Sequence, residues 1–327
     1  MSSVKVVVTD FIEPDLEWEA KEMARRGVEF QTHQLKFAPT SEVIAATRDA
    51  DLVIVNMVPI TREVVSQWDR CRLVIRHGVG YDNVDVRALQ QAGIPVCYIP
   101  DYCAEEVAEQ AIALLIACGR KLVASRRVLD CSSAQGSWDF AGVVPMFRMA
   151  GQTLGIIGCG RIGSLVYRKL KSFGFEFLIC DPYLSEERKR ELGIEVVDQE
   201  TVFRNSDYIT IHTPLTAETR KLVNARTLAM MKPTAYLVNT ARGPMVDTQA
   251  LAEALRNGVI AGAGIDVFDV EPPRPDFPLF ALPNVILTPH LSWYSEDAGR
   301  RIRELILLEI DRFLAGEPPR YIADCAA

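Results

Sequence analysis

The chain has 327 residues, 49% of them apolar, and a formal net charge of −7. That length accommodates about two domains of ordinary size, and the mixture of apolar and mixed-sign charged residues excludes a disordered chain. The acidic balance, with no basic run, speaks against a nucleic-acid partner.

Met1-Ser2-Ser3 leads straight into a strand pattern with no cleavable signal layout. The longest apolar stretch, 107–118, is broken by Glu109 and Gln110 and is too short to cross a bilayer. A soluble, cytoplasmic protein with no membrane partner is therefore expected. The eight cysteines form no C-x-x-C pair, so neither a disulfide framework nor a metal site is suggested.

Runs at 4–8, 51–56, 73–76 and 95–99, with a weaker one at 28–35, read as strands, separated by helical patterns at 13–26, 41–48, 61–68 and 84–92. Such alternation predicts a parallel sheet covered on both faces, one doubly wound domain. A helix is predicted over 104–123, with Glu105 and Glu106 at its start and Arg120 and Lys121 at its end, as the helix dipole favours. Residues 125–150, with Trp138 and Phe147, lack a period and read as an irregular arm over another surface.

The strand at 154–157 runs into Gly158, Gly160 and Gly163 in a G-x-G-x-x-G turn, followed by a helix at 164–173. Gly158 permits the sharp turn, Gly160 lets a pyrophosphate approach the backbone, and Gly163 lets the helix lie close on its strand. The next strand, 177–180, ends at Asp181, placed to accept from the adenosine ribose hydroxyls. Asp181 would repel a 2′-phosphate, and Pro182 and Tyr183 follow it rather than an arginine, so the pattern favours NAD over NADP. Further strands at 195–197, 208–212, 235–239, 261–266 and 285–288 make a second doubly wound domain. The long amphipathic helix at 296–314 is predicted to pack back on the first. The division is 1–101 plus 292–327 against 102–291, with a cleft between.

Ligands of such sheets bind at the carboxyl ends of the strands. Here those ends carry His212-Thr213-Pro214-Leu215-Thr216, Asn239-Thr240-Ala241-Arg242-Gly243, Gly264-Ile265-Asp266 and Thr288-Pro289-His290. Hydride transfer from a nicotinamide to a carbonyl needs a cation for the oxygens and an acid for the carbonyl. Arg242 supplies a fork of donors, and His290, oriented by Glu271, supplies the proton. Each residue alone has a structural alternative: a turn residue for Glu271, a helix cap for Arg242, a core histidine for His290.

Together with Arg76-His-Gly-Val-Gly-Tyr-Asp-Asn-Val-Asp85 and Asp266-Val-Phe-Asp-Val-Glu271, these motifs make the chain resemble the D-2-hydroxyacid dehydrogenases over nearly its whole length. The segments 181–185 and 288–296 are similar to the C-terminal-binding-protein-like branch, whose eukaryotic members are NAD(H)-dependent corepressors. The long tail of those members is lacking.

The resemblance implies a flavodoxin-like substrate domain, a Rossmann NAD-binding domain and a small 2-oxo or 2-hydroxy acid substrate. It also implies a homodimer built on 104–150; an arm folded on its own subunit is the alternative. By the same resemblance Arg161 and Ile162 would meet the pyrophosphate, and Thr213, Pro214 and Thr219 would line the phosphate and ribose path. Thr240, Ala241 and Arg242 would lie by the nicotinamide ribose, and Asp266 would accept from the carboxamide. Arg76 and the N–H groups of His77, Gly78, Val79 and Gly80 would receive the substrate carboxylate. Trp293 is either a pocket wall or a hydrophobic plug, and the His77 side chain either serves the site or bonds its own loop. The competing expectation is an NAD(H)-responsive binding protein with a regulatory pocket.

Overall fold

In the computed structural model residues 3–324 are described, and two compact units divide the chain: Met1–Cys103 with Ser295–Ala327, and Ala104–Tyr294.

The first unit contains strands β1 (Lys5–Val8), β2 (Glu29–Thr32), β3 (Leu52–Val55), β4 (Leu73–Arg76) and β5 (Val96–Tyr98). Their order is β2-β1-β3-β4-β5, parallel throughout, the flavodoxin-like arrangement. β1 and β3 are buried at every residue, so helices must cover both faces. Those helices are α1 (Glu17–Arg25), α2 (Thr40–Thr47), α3 (Arg62–Val65) and α4 (Val86–Gln91). The Asp85 carboxylate caps α4 by accepting from the Ala88 N–H at 2.8 Å. The C-terminal helix, Glu296–Leu314, belongs to this unit as its pattern predicts: Ile302, Ile306, Leu307 and Ile310 are buried along one stripe. Arg303 pairs with Glu19, and Arg26 with Asp311 at 2.6 Å. A single antiparallel bridge from Ile322 to Cys97 extends the sheet edge.

The second unit contains β6 (Thr153–Ile157), β7 (Glu176–Cys180), β8 (Tyr208–Ile211), β9 (Tyr236–Asn239), β10 (Gly262–Ile265) and β11 (Val285–Leu287). They run β11-β10-β9-β8-β6-β7, again parallel. The strand expected at 195–197 reduces to one parallel bridge, Ile179 to Val196. It stands beside β7, where a 3-2-1-4-5-6 sheet keeps its third strand. Gly193 ends one helix and Asp198 caps the next, so only four residues are left between them.

The reading of 104–150 is corrected. The first helix, α5 (Ala104–Gly119), stops short of 123, and Lys121, at φ 48°, turns the chain into a second helix, α6 (Leu122–Ala134). Only Ser132 of α6 is buried, so there is no apolar stripe from which to read its period. No helix among the described residues is long and apolar enough to cross a membrane.

Candidate active site

Register explains why residues far apart in sequence converge in the second unit. Ile157 pairs with Cys180 and Ile211, Ile211 with Asn239, Asn239 with Ile265, and Ile265 with Leu287. Gly158, Asp181, His212, Thr240, Asp266 and Thr288 therefore leave the sheet side by side, at the carboxyl edge.

The glycine turn has the form its sequence predicts. Gly158 has φ +88°, and a Cβ there would meet the His212 carbonyl carbon at 2.7 Å. A Cβ at Gly163 would collide with the Gly158 carbonyl oxygen, whereas Gly160 faces open space, where a phosphate can approach. Arg161 and Ile162 begin the helix α7 (Arg161–Leu170), whose N-terminal dipole suits an anion. The Asp181 carboxylate accepts from the Cys159 N–H at 2.8 Å and the Tyr183 N–H at 3.1 Å, which fixes it at the end of β7. Burial and the Asp181 charge push the Cys159 thiol up to about 11, so it stays protonated and unreactive near neutrality.

Beyond Pro214, the Thr219 hydroxyl donates to the Pro214 carbonyl at 2.7 Å and accepts from the Thr216 N–H at 2.7 Å, closing the loop after Thr213. Part of His212 reaches the surface, but its Nδ1 is buried without a partner, as is Thr240 Oγ1. Burial pushes the His212 imidazole down to about 3, so it is neutral. A glycine turn open at Gly160, a fixed acid and a buried polar atom awaiting a partner at Thr240 together fit a dinucleotide.

The polar strand ends build a second constellation. Asn239 is fully buried; its Nδ2 donates to the Arg242 carbonyl at 2.8 Å and its Oδ1 accepts from the Ala241 N–H at 3.0 Å, shaping the turn that presents Arg242. A Cβ at Gly243 would strike the backbone of Phe268, so this turn packs directly on the segment leading to Glu271. Glu271 Oε1 accepts from the Phe268 N–H at 3.1 Å, and Oε2 lies 2.7 Å from His290 Nδ1. Burial raises the Glu271 pKa, but the hydrogen bond and charge of His290, the Phe268 N–H and the charge of Arg242 outweigh it and hold the carboxyl below its ordinary range.

His290 itself has φ +53°, a conformation rare outside glycine. Two backbone bonds hold it there, from its N–H to the carbonyls of Asp266 at 2.8 Å and Thr288 at 3.0 Å.

Asp266 is fully buried, and its oxygens accept from Thr288 Oγ1, the Leu291 N–H at 3.1 Å, the Ser292 N–H at 3.0 Å and Ser292 Oγ, bonds that organise the loop carrying His290.

In the first unit, the loop after β4 has a similar economy. The His77 N–H donates to the Val55 carbonyl and the Gly78 N–H to the Arg76 carbonyl, both at 2.8 Å. Of the four N–H groups expected to receive a carboxylate, Val79 and Gly80 therefore remain. Arg76 Nη1 donates to the His77 carbonyl, and its guanidinium fills the space a Gly78 Cβ would need.

The His77 side chain does not bond its own loop: Nε2 lies 3.2 Å from Glu13 Oε1, in the loop after β1. Glu13, and the buried Asp10 beside it, escaped the sequence reading, although two acids just past a strand end were a signal. Trp293 packs edge-on against Tyr294, with ring centroids 5.3 Å apart. Arg72 is engaged by Asp51 and Arg62 by Gln91.

Known proteins fit this geometry. The model of the D-isomer specific 2-hydroxyacid dehydrogenase NAD binding domain matches residues 112–292. A glyoxylate reductase of Korarchaeum cryptofilum is 40% identical over 292 residues, covering 87% of each chain. The D-lactate dehydrogenase of Aquifex aeolicus, solved with NAD and lactic acid, superposes with TM-score 0.83 at 29% identity, covering 95% of this chain and 96% of that one. An NADPH-dependent glyoxylate/hydroxypyruvate reductase of Sinorhizobium meliloti, solved with NADP and malonate, gives 0.84 at 30%, covering 98% and 97%. The chain thus belongs to the D-isomer specific 2-hydroxyacid dehydrogenase family, as an NAD-dependent oxidoreductase acting on a CH–OH group.

Proposed function

We propose that the protein reduces a small, unphosphorylated 2-oxo acid of the glyoxylate or hydroxypyruvate class to the D-2-hydroxy acid, with NADH preferred over NADPH. The observation that carries this reading is the Glu271–His290 pair, 2.7 Å apart, on the same sheet edge as Arg242. NADH, when bound, supplies the hydride to the carbonyl carbon.

Arg242 binds the carbonyl and carboxylate oxygens, so the negative charge growing on oxygen meets a fixed cation. His290 gives its Nε2 proton to that oxygen, while Glu271 holds Nδ1–H and stabilises the imidazolium beforehand. In oxidation the same imidazole takes the proton back. The carboxylate is received by the Val79 and Gly80 N–H groups and Arg76, with Trp293 as a pocket wall, as in the C-terminal-binding-protein-like branch. The cofactor is held by residues 158–163, by Asp181 at its ribose, by Thr213, Pro214 and Thr219 along the phosphate path, and by Thr240 and Ala241 near the nicotinamide ribose.

Of Arg62, Arg72 and Arg148, the arginines that could meet a phosphate, the first two are engaged with Gln91 and Asp51, which supports an unphosphorylated substrate. Trp138 and Phe140, 86% and 66% exposed, support a homodimer in which the arm after α6 covers a partner. A cytoplasmic setting suits the reduced cysteines.

The test is NADH oxidation, with NADPH in parallel, against glyoxylate, hydroxypyruvate, pyruvate, phenylpyruvate and 3-phosphohydroxypyruvate. Turnover of an unphosphorylated acid with NADH is the expected result. Negligible turnover of all five compounds, or preference for the phosphorylated one, would overturn the reading.

A further inference from the structure

Three strand-end loops of the first unit are stitched into one another. Asp10, 3% exposed, accepts from the N–H groups of Asn56 at 3.1 Å and Met57 at 2.7 Å, fastening the loop after β3 to the loop after β1. Asn83 Nδ2 donates to the carbonyls of Asn56 at 3.1 Å and Val58 at 2.9 Å, fastening the same loop to the 76–85 motif. His77 and Glu13, 3.2 Å apart, close the ring by joining that motif back to the loop after β1.

Both side chains of this last link are largely shielded from water, at 11% and 13% exposure. Behind them lies a mainly apolar pocket whose charged members besides the pair are Asp10, Glu19 and Arg303. Arg303 is already bound by both oxygens of Glu19, and Asp10 by backbone N–H groups, so neither can replace a lost partner of the pair. A charge left alone there is poorly solvated, and the loop must move to relieve it.

We propose that Glu13 and His77 are positioning residues for the substrate: their pairing fixes residues 76–78 so that the next two N–H groups, of Val79 and Gly80, are aimed at the carboxylate. The His77 N–H bonds Val55, the Gly78 N–H bonds Arg76 and the Gly78 carbonyl accepts from the Ile99 N–H at 3.0 Å, so the link to Glu13 adds the side-chain restraint that ties this short segment to the loop after β1. The proposal rests on the 2-oxo acid reading above. Glu13 is held at about 2: burial opposes this, but the hydrogen bond and charge of His77 prevail.

The experiment is steady-state kinetics of the full-length enzyme with glyoxylate and hydroxypyruvate, comparing wild type, Glu13→Gln, Glu13→Asp, His77→Gln and the Glu13→Gln/His77→Gln double variant, with NADH affinity followed by fluorescence. Expected are a KM for the 2-oxo acid raised about tenfold in either Gln variant, kcat changed by less than about threefold, and NADH affinity unchanged. The double variant should be no worse than either single one, and Glu13→Asp should recover part of the loss. Unchanged KM, a fall in kcat or NADH affinity of the same size, or additive losses would overturn the proposal. If Glu13→Gln does not fold, His77→Gln carries the same comparison. A wild type that turns over no 2-oxo acid refutes the functional reading itself, whereas an active wild type with an unaltered KM in the variants refutes only this inference.

Discussion

His290 Nδ1 stands 2.7 Å from Glu271 Oε2, and the histidine that makes this contact has the left-handed backbone φ of +53°. The conformation costs on the order of 1–3 kcal/mol for a residue with a Cβ. It is sustained by two backbone bonds to Asp266 and Thr288, and by the four donors Asp266 accepts from residues 288–292. The placing of the His290 imidazole therefore depends on the buried Asp266 carboxylate.

His290→Ala removes the proposed proton donor, and Glu271→Gln removes the charge paired with it. General acid catalysis contributes about 10²–10⁴ in rate, so kcat should fall by about that factor in the first and by about 10² in the second. NADH should still bind to both. Stopped-flow turnover with fluorescence titration of NADH checks this; full activity of His290→Ala would discard the assigned acid.

Arg242→Lys keeps the charge but loses the planar fork. An oxyanion donor is worth about 10²–10³ in kcat, and kcat/KM should drop by a similar factor with protein stability preserved. Steady-state kinetics and a melting curve suffice to decide.

At Asp181, substitution by Ala removes an anion held in place by the N–H groups of Cys159 and Tyr183. Juxtaposed like charges cost several kcal/mol, so removing one should narrow the preference for NADH over NADPH by at least about tenfold. The ratio of kcat/KM for the two cofactors is the readout, and an unchanged ratio would place the selectivity elsewhere.

Acid stability should report the two His-paired carboxylates. Glu271 and Glu13 both have folded pKa values below the ordinary 4.5, Glu13 at about 2. A depressed carboxylate adds stability that is full above its unfolded pKa and is lost as pH falls through its folded one. The gap in melting temperature between wild type and Glu13→Gln should thus shrink steadily as pH falls from about 4.5 towards 2. Calorimetric scans from pH 6 to 2.5 test the sign; a gap that widens on acidification contradicts the pairing.

What local pattern could determine, the chain alone revealed. Runs such as 52–55 are apolar throughout because a strand in a covered parallel sheet is buried on both faces, and glycines 158 and 163 announce a turn whose backbone leaves no room for a Cβ. Arg242, Glu271 and His290 were legible because each stands just beyond a strand end or in a recognised motif.

Tertiary structure decided whatever depended on partners distant in sequence. The polar helix α6 hides its period because it buries almost nothing, and Val196 makes one bridge because flanking helix caps leave no room for a strand. The hydrogen bonds of Asp266 to the loop at 291–292 and the pairing of Glu13 with His77 follow from register between loops that no local spacing encodes. A carboxylate's neighbours, which determine whether it binds a ligand or holds the fold, are brought to it only by the closing of the sheet.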